Sequence, residues 1–591
     1  MRHPFFILTF LFLTTTAPAD DDTSPLYQDA TATAQLHFTY WNGATGDYHF
    51  PEIAGGGGAL LDYDGDGDLD LFLVQGGMLS KGKAPADTLF PPAEGTPLSD
   101  RLFRNDLTQT PDGPRLSFTD VTADAGFAAE GDYGMGAAAG DFDGDGWTDL
   151  YVTNVGPNRL WRNRGDGSFE EVTAEAGAGD SRWSVSAAFA DLDADGDLDL
   201  FVANYVDYTP ATNVRCLGNS GVRDYCGPAS YAPLTDRLFV NRGDGTFEDA
   251  TNRLGIGEAA GPGLGVVAFD ADGDGRLDLY VANDGAANQL WMQGADGRFS
   301  DEALLRGCAL SGEGKAEAGM GIAVGDPDGD GDEDLLVSHL DRETNTFYAN
   351  DGDGFFRDAS IASGLGMASW KMTGFGTTWS DVDNDGRRDL VVVNGAVYSI
   401  ESQARAGDPF PFALGHQLFV NEGADERGRL RFREVTDPAL AAPGVGRGAL
   451  VGDLDDDGDE DLVVVHNSGP ARLLVNEAAA GRHWVGLDLA LGAAVEIRRG
   501  GAFVSYARAR GDGGYATSRD PRLLFGLGDD GSAVDALVTW PDGRREQFGG
   551  LATDRYHALE RGAGTPPAEP PPTPEPETTP ETPASSEETA G

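Results

Sequence analysis

The sequence is poor in cysteine, histidine and basic residues. It has 3 Cys and 8 His among 591 residues, and 42 Lys and Arg stand against 98 Asp and Glu, which gives a formal net charge of −56. Such a surface repels phosphate backbones and anionic lipid head groups and attracts cations, which argues against nucleic-acid binding. No His or second Cys pair lies at ligand spacing, which argues against a zinc site.

Long apolar runs are also missing. No segment reaches the eighteen or so apolar residues of a membrane-spanning helix. Residues 1–19 instead resemble a secretory signal, with basic Arg2 and His3, the apolar stretch FFILTFLFL and a small-residue cleavage site at 17–19. A membrane anchor is the alternative, but the apolar stretch is short for one. We therefore expect a signal peptide over 1–19, a mature protein that starts near Asp20, a secreted or periplasmic location and no membrane span.

Two of the three cysteines lie ten residues apart in a Gly- and Asn-rich loop, CLGNSGVRDYC. In an oxidising compartment we expect Cys216 and Cys226 to form a disulfide, with two free thiols as the alternative. Cys308 has no obvious partner and is expected to be buried.

What the sequence has in abundance is a repeat. The pattern Asp-x-Asp-x-Asp-Gly-x-x-Asp occurs seven times, with start-to-start spacings of 50 to 79 residues. The copies, here called loops 1 to 7, begin at Asp62, Asp141, Asp191, Asp270, Asp326, Asp381 and Asp453. Repetition at this scale indicates one supersecondary unit per copy.

Each unit reads as four short strands. A Gly- and Ala-rich run precedes the loop, a strand such as LYVTN follows it, and then come a strand such as RLWRN and one such as FEEVT. This predicts an all-β fold, a seven-bladed β-propeller over residues 33–480. The last unit lacks its fourth strand, and we expect residues 33–43, TAQLHFTYWNG, to supply it and close the ring.

The repeated aspartates predict metal sites. Carboxylates at positions 1, 3, 5 and 9 with a backbone carbonyl at position 7 form a hard oxygen shell suited to Ca²⁺, and Gly at position 6 allows the turn. Position 12, the bidentate Glu of an EF-hand, is an apolar strand residue here, so these loops are not EF-hands. Solvated Asx-turns without metal are the alternative.

The predicted shells give about seven sites, in which calcium has a structural role. They comprise Asp62, Asp64, Asp66, Asp68 and Asp70; Asp141, Asp143, Asp145, Trp147 and Asp149; Asp191, Asp193, Asp195, Asp197 and Asp199; Asp270, Asp272, Asp274, Arg276 and Asp278; Asp326, Asp328, Asp330, Asp332 and Asp334; Asp381, Asp383, Asp385, Arg387 and Asp389; and Asp453, Asp455, Asp457, Asp459 and Asp461.

A polar residue ends the strand that leaves every loop, on the face opposite the predicted metals. These candidates for a ligand face are Gln75, Asn154, Asn204, Asn283, His339, Asn394 and His466. Long insertions follow three of them, at 76–100, 205–236 and 395–416, and long loops on a rigid ring often carry function. The alternative is that these residues only cap strand ends by hydrogen bonding.

No catalytic set is recognisable. The histidines are scattered, and nucleophile elbows, phosphate loops and dinucleotide fingerprints do not occur. Arg-Gly-Asp occurs at 164–166, 242–244 and 510–512. The first two copies fall in the hairpin turn of the repeat, and we interpret all three as coincidence in a chain rich in Gly and Asp.

The repeats end near residue 480. Residues 482–561 alternate like a small β-rich domain. Residues 562–591 are rich in Pro, Glu and Thr and are expected to be disordered.

The repeats resemble the FG-GAP/VCBS repeats of integrin α-type propellers, and LLFGLGDDGSAVDALVTWPDGR resembles the signature of the ASPIC/UnbV domain. Together with KAEAGMGIAVGDPDGDGDEDL and NRGDGTFED, they resemble the secreted family of cartilage acidic protein and its bacterial UnbV-like relatives, over roughly residues 30–560. The resemblance implies a calcium-loaded propeller followed by a β-rich domain, outside the cytoplasm, with a role in adhesion or protein interaction.

The resulting expectation is a non-enzymatic, calcium-binding scaffold that engages an extracellular or envelope protein or a glycan. One alternative is a secreted hydrolase or lyase with its site in the long loops, for which a converging acidic pair or His cluster is the discriminating feature. A purely structural partner in an envelope or matrix assembly is the other.

Overall fold

The computed structural model describes residues 25–567 except 112, 128–131, 219–220 and 480. The predicted signal peptide, and most of the predicted tail from residue 568 onwards, lie outside the described residues. Within them the chain is all-β, with short helices only. These are Thr173–Ala176, Ala303–Arg306, Ser360–Ser363, Leu365–Ser369 and Glu401–Arg405, with 3-10 turns at Phe50–Ile53, Pro85–Asp87, Pro228–Ser230 and Ile256–Glu258.

Each repeat folds into one antiparallel sheet of four strands, named here from the inner through the second and third to the outer strand. Sheet 1 has Gly58–Leu61, Asp70–Leu73, Arg101–Asn105 and Phe118–Asp120; sheet 2 has Gly134–Gly140, Asp149–Asn154, Arg159–Asn163 and Phe169–Glu171; sheet 3 has Ser184–Ala190, Asp199–Asn204, Arg237–Asn241 and Phe247–Asp249. Sheet 4 has Gly263–Phe269, Asp278–Asn283, Gln289–Gln293 and Phe299–Asp301; sheet 5 has Ile322–Gly325, Asp334–Val337, Thr346–Asn350 and Phe356–Asp358; sheet 6 has Gly374–Ser380, Asp389–Asn394, Gln417–Ala424 and Leu430–Val435. In every sheet the aspartate loop joins the inner strand to the second strand.

Sheet 7 takes its outer strand from the start of the described chain. Gly446–Gly452, Asp461–His466 and Arg472–Asn476 are followed by Tyr27–Asp29, which pairs with the third strand in the register Tyr27↔Asn476. The expected borrowed strand therefore exists, but its assignment to residues 33–43 is wrong. That segment follows a turn and meets the sheet only at the bridge Thr39↔Pro470, while its alternating apolar side chains are buried.

The inner strands contact one another in the cyclic order 1-2-3-4-5-6-7-1. A second ring of contacts runs through the Asn or Gln that ends each third strand, whose side-chain amide donates to the backbone carbonyl at position 2 of the preceding loop. The seven bonds are Asn105 to Leu454, Asn163 to Tyr63, Asn241 to Phe142, Gln293 to Leu192, Asn350 to Ala271, Asn421 to Pro327 and Asn476 to Val382.

The chain after sheet 7 forms two further sheets. One joins His483–Asp488 to Leu523–Gly528 and Tyr556–Ala558, and the other has the order Ala502–Arg508, Ala494–Arg499, Val534–Thr539 and Arg545–Leu551. This C-terminal domain lies against the aspartate-loop end of the seven sheets, where Gly528 N donates to Asn384 O of loop 6.

A segment of the C-terminal domain, residues 511–518, lies between the inner strands of all seven sheets. Its strand Thr517–Ser518 pairs in parallel with Gly58 and Ala59 of sheet 1. The segment contacts the other six sheets one by one. Four of these contacts are hydrogen bonds: Ala137 N of sheet 2 with Ala516 O, Ser186 Oγ of sheet 3 with Ala516 N, Ala268 N of sheet 4 with Asp512 Oδ2, and Ala449 O of sheet 7 with Thr517 Oγ1. In sheets 5 and 6, Gly514 packs against Ile322 O and the Tyr515 ring packs against the Phe375 ring. We call this segment the central segment.

Small residues on the inner strands make room for the central segment. A Cβ on Gly136 would lie 2.6 Å from the Cα of Ala516. This explains the Gly- and Ala-rich run that precedes each loop. The third Arg-Gly-Asp, 510–512, borders this segment, and its Arg510 and Asp512 are buried.

The end of the sheets opposite the loops is covered by an aromatic cluster. The long insertions contribute Tyr205, Tyr208, Tyr225, Phe410 and Phe412, which pack with Phe50 and with Tyr515 of the central segment. The Cys216–Cys226 disulfide is present in the second insertion. Cys308 is a buried free thiol, as expected.

Candidate metal centres and the opposite face

The aspartate loops share one backbone conformation. Gly at position 6 has a positive φ in all seven, for example 91° at Gly146 and 95° at Gly458. The carboxylate at position 1 accepts backbone N–H bonds from within its own loop, as Asp141 does from Gly144 and Gly146 at 2.9 and 2.8 Å. The position 5 carboxylate accepts the N–H of position 7, as Asp145 does from Trp147 at 3.0 Å. Each loop thus folds around its own side chains.

The position 9 aspartate fixes the loop to the sheet. Asp149 is buried, and its two oxygens accept the N–H groups of Phe142 and Asn163 at 3.0 and 2.7 Å. Loop 5 is the exception, because Pro327 at position 2 has no N–H to donate and Asp334 Oδ2 is left without a hydrogen bond. A buried carboxylate oxygen without a donor is costly, so this atom is free for another partner.

The aspartate at position 3 does not hold the loop to the sheet by hydrogen bonds in this way. Asp64, Asp143, Asp272 and Asp455 each have a buried Oδ1 that makes no hydrogen bond among the described residues. In five loops, carboxylate oxygens of three aspartates lie within 4.8 Å of one another, as in Asp141, Asp143 and Asp149, and two more such groups exist. Converging, partly unpaired hard oxygens are what a Ca²⁺ ion requires, so the donor set fits this ion.

Burial and mutual repulsion destabilise the charged form of these groups. Burial, followed by the nearby charges of Asp145 and Asp141, raises the pKa of Asp143. Burial raises the pKa of Asp70, Asp149 and Asp199 to about 8, against the donated hydrogen bonds that lower it. A divalent cation at the centre of each loop would reverse this effect, because it favours the charged carboxylates.

The residue at position 7 makes the loops unequal. In loops 4 and 6 it is an arginine, and Arg276 and Arg387 fold back to pair with the position 5 carboxylates Asp274 and Asp385. In loops 1, 3, 5 and 7 it is an aspartate, and in the last two of these Asp332 Oδ1 and Asp459 Oδ1 are buried without a hydrogen bond to any described residue. The side chain at position 7 would therefore compete with an ion in loops 4 and 6, and it adds a carboxylate in four other loops.

Loop 7 is largely covered by the C-terminal domain. Tyr556 OH donates to Asp453 Oδ2 at 2.9 Å, and Arg522 contacts Asp456 at 2.9 Å. The Trp484 ring packs directly on Gly458, where a Cβ would lie 1.8 Å from the ring. Burial, followed by the neighbouring loop aspartates, raises the pKa of Asp459. This is the most enclosed of the acidic loops that the structure describes.

The predicted ligand face is corrected by the structure. All seven candidates are buried, because the connections that follow the second strands fold over the strand ends. Six of them form hydrogen bonds there: Gln75 with Trp41 N, Asn154 with Pro157 O, Asn204 with Asp180, Asn283 with Ala287 O, Asn394 with Gly415 O, and His466 with Pro470 O. His339 is also buried, and burial lowers its pKa to about 4. Six of these side chains therefore cap strand ends, and both ring nitrogens of His339 are buried without a hydrogen bond among the described residues.

Two features of the site were missed by the sequence analysis. The cross-sheet amides have a clear signal, since the third-strand motifs all end in Asn or Gln, but their partners are 79 to 349 residues away in the sequence. The insertion of residues 511–518 between the sheets has only a weak signal, a Gly-rich stretch inside an otherwise alternating domain.

Family comparisons agree with this architecture. The FG-GAP-like repeat matches residues 141–202, 225–281, 270–337 and 326–392, and the ASPIC and UnbV domain matches residues 488–566. The chain therefore contains FG-GAP-like repeats and a C-terminal ASPIC and UnbV domain.

Its curated relatives are cartilage acidic proteins. Cartilage acidic protein 1 of Homo sapiens is 26% identical over 384 residues, which are 54% of this chain and 56% of the human protein. The Xenopus tropicalis protein of the same name is 27% identical over 386 residues, 54% of this chain and 58% of that protein. The match thus spans about half the length of these relatives.

Solved structures with a similar arrangement include an Agrocybe aegerita lectin that recognises non-reducing terminal N-acetylglucosamine, with a TM-score of 0.35, 16% identity and coverage of 58% of this chain and 77% of the lectin. An ancestral GH74 enzyme has a TM-score of 0.37, 10% identity and coverage of 76% and 57%. No helix in the described part of the chain has both the length and the apolar character to cross a bilayer.

Proposed function

We propose that this protein is a calcium-stabilised seven-bladed β-propeller that acts as a non-enzymatic binding scaffold outside the cytoplasm. The observation that carries the proposal is the set of buried position 3 oxygens, such as Asp143 Oδ1, that make no hydrogen bond among the described residues and face other carboxylates of the same loop. Hydrogen bonds within an Asx-turn do not require this convergence, whereas a divalent cation does.

The ring itself supports the propeller. The inner strands contact one another in cyclic order, and the amide of Asn105 in sheet 1 reaches the loop of sheet 7. A closed ring leaves no sheet edge available for aggregation, and the borrowed strand Tyr27–Asp29 completes the last sheet.

The magnitude of the calcium effect favours a structural role. Extracellular calcium modules bind with dissociation constants of roughly 0.1–1 mM. At about 1 mM calcium each occupied site adds roughly 0.4–1.4 kcal/mol by mass action, or about 3–10 kcal/mol for seven sites. This is comparable with the whole stability of an ordinary domain. Calcium occupancy therefore decides whether the ring is stable.

The interaction role rests on the position of the long insertions and of the C-terminal domain. The three long insertions gather at one end of a rigid ring, and the loops and the C-terminal domain occupy the other. Relatives at 26–27% identity carry the name of a cartilage protein and not of an enzyme. An exported location is consistent with the disulfide, since calcium and oxidising conditions occur together outside the cytoplasm.

The proposal is tested by thermal melts of the wild type and of Asp145→Ala, each in calcium and in excess chelator. Asp145→Ala should lower the melting temperature in calcium and have little effect in chelator. Asp166→Ala is the matched control, because Asp166 lies in the exposed hairpin turn of the same sheet and outside the loop. If Asp145→Ala lowers the melting temperature equally in calcium and in chelator, the metal assignment is contradicted.

A further inference from the structure

A cavity of about 40 Å³ opens at the end of the ring opposite the aspartate loops. Its wall includes the aromatic rings of Phe50, Tyr205, Phe375, Tyr398 and Tyr515, together with the carboxylate of Asp284. This volume holds about three water molecules or a group of similar size. The cavity is lined from the N-terminal segment, two of the long insertions, the inner strands of sheets 4 and 6, and the central segment, so it forms only where these separate parts of the chain meet.

The Asp284 carboxylate has no cationic partner among the described residues. Its Oδ2 accepts a hydrogen bond from Tyr205 OH. Desolvation, with a smaller contribution from the charge of Glu343, raises the pKa of Asp284 to about 6, although the hydrogen bond from Tyr205 lowers it. Arg447, whose guanidinium lies over the Phe375 ring at 3.9 Å from its centroid, donates to the backbone carbonyls of Ile53, Gly395, Gly446 and Ala396. A partly buried carboxylate of this kind is stabilised by a cation that enters from outside.

The aromatic lining favours the same kind of ligand. Ring faces attract cations, most strongly where water is excluded. Tyr398 lies at the rim with 44% of its surface exposed, while Tyr205 and Tyr515 are buried deeper. The cavity therefore presents aromatic ring faces around one carboxylate, and a ligand can enter from solvent past Tyr398.

We propose that this cavity, here called the Asp284 pocket, binds a primary alkylammonium group through the Asp284 carboxylate and the surrounding tyrosine rings. The size of the pocket fits an ammonium with a short alkyl stem and excludes a large ligand. A lysine side chain of a partner protein and a free alkylamine both present this group. The inference rests on the proposed interaction role and names the chemistry of the group that is recognised, but it does not depend on which loops hold calcium.

The test is a titration of the calcium-saturated full chain at constant ionic strength, followed by ligand-observed NMR. The probes are n-propylammonium and its neutral analogue 1-propanol, and a lysine peptide with its Nε-acetylated form. Charged forms should bind about tenfold more tightly than neutral ones, as expected for a desolvated cation–π and carboxylate site. Binding of the peptide alone would identify a protein source, and binding of propylammonium a small-molecule source.

Variants make the test specific. Asp284→Asn keeps an acceptor for Tyr205 OH and should weaken ammonium binding about tenfold. Tyr398→Ala, at the exposed rim, should weaken it without loss of folding. Asp296→Asn is the matched control, because it removes the same charge from an exposed turn of the same sheet, and it should leave binding unchanged.

Equal binding of propylammonium and propanol, equal effects of Asp284→Asn and Asp296→Asn, or no binding of either amine would overturn the proposal. None of these outcomes bears on the chelator melts, so this inference and the calcium scaffold can fail separately.

Discussion

The side-chain amide of Asn105 donates a 2.9 Å hydrogen bond to the backbone carbonyl of Leu454, across 349 residues of sequence. Asn105 ends the third strand of sheet 1, and Leu454 lies at position 2 of loop 7. An equivalent bond joins each of the remaining pairs of neighbouring sheets, and the bond from Asn105 joins the first sheet to the last. Its partner loop is the one that the C-terminal domain covers.

Asn105→Ala should lower the free energy of unfolding by about 1–3 kcal/mol, because it leaves a buried carbonyl without its donor. Asn163→Ala breaks the equivalent bond between sheets 1 and 2 and should cost a similar amount. Denaturant unfolding in calcium measures both. If Asn105→Ala lowers the free energy of unfolding much less than Asn163→Ala does, the ring is not closed between sheets 7 and 1.

Arg276→Gln should increase the calcium affinity of loop 4. The guanidinium of Arg276 pairs with Asp274 and competes with an ion for that carboxylate, and glutamine removes the competing charge. Isothermal titration calorimetry of the decalcified protein measures the change. The control is Arg298→Gln in the hairpin turn of the same sheet, which should have no effect on calcium binding. Weaker calcium binding by Arg276→Gln would contradict this view of position 7.

Trp484→Ala should accelerate calcium release from loop 7. The ring of Trp484 covers Gly458, and its removal opens a path between the loop and solvent. A loss of stability of about 3–5 kcal/mol is also expected for a buried tryptophan. Trp540→Ala separates the two effects, because Trp540 is buried in the other C-terminal sheet. Stopped-flow mixing with a chelator should show a slow phase in the wild type and in Trp540→Ala that Trp484→Ala lacks.

Glu52→Gln should stabilise the protein at alkaline pH. Glu52 is fully buried, and desolvation raises its pKa to about 8, although Tyr225 donates a hydrogen bond to it. A folded-state pKa above the unfolded value means that the contribution of this group to stability is complete below about pH 4.5 and is lost as the pH rises through 8.

Glutamine cannot ionise, so the difference between Glu52→Gln and the wild type should grow from pH 5 to pH 9. Urea unfolding in saturating calcium measures it, with the exposed Glu94→Gln as control. A difference that does not change with pH would show that Glu52 is ionised in the folded protein throughout.

Much of the fold follows from the sequence because its units are local. The aspartate loops, their flanking strands and the Cys216–Cys226 disulfide each depend on neighbours within about 20 residues, which pattern and spacing reveal. The need for a borrowed strand in sheet 7 was also predictable by counting. The choice of Tyr27–Asp29 was not, because the alternating segment 33–43 has the better strand pattern but is buried by other contacts.

The remaining features depend on contacts between distant parts of the chain. The polar strand ends looked like a face for a partner, and only the fold shows that the following connections cover Asn204 and Asn394. The central segment, the covering of loop 7 and the Asp284 pocket all arise where separate sheets or domains meet. A local sequence pattern does not predict these contacts, since each one forms only when distant parts of the chain pack together.

The central claim is that divalent ions in the loops hold the ring of sheets together, and counting those ions tests it most directly. The purified full chain is dialysed against low-calcium buffer, and its bound metal is measured by mass spectrometry alongside its melting curve before and after chelation. We predict several calcium ions per chain and a large fall in melting temperature when they are removed. A chain that carries no metal, or whose melting curve is the same with and without chelator, would contradict the account.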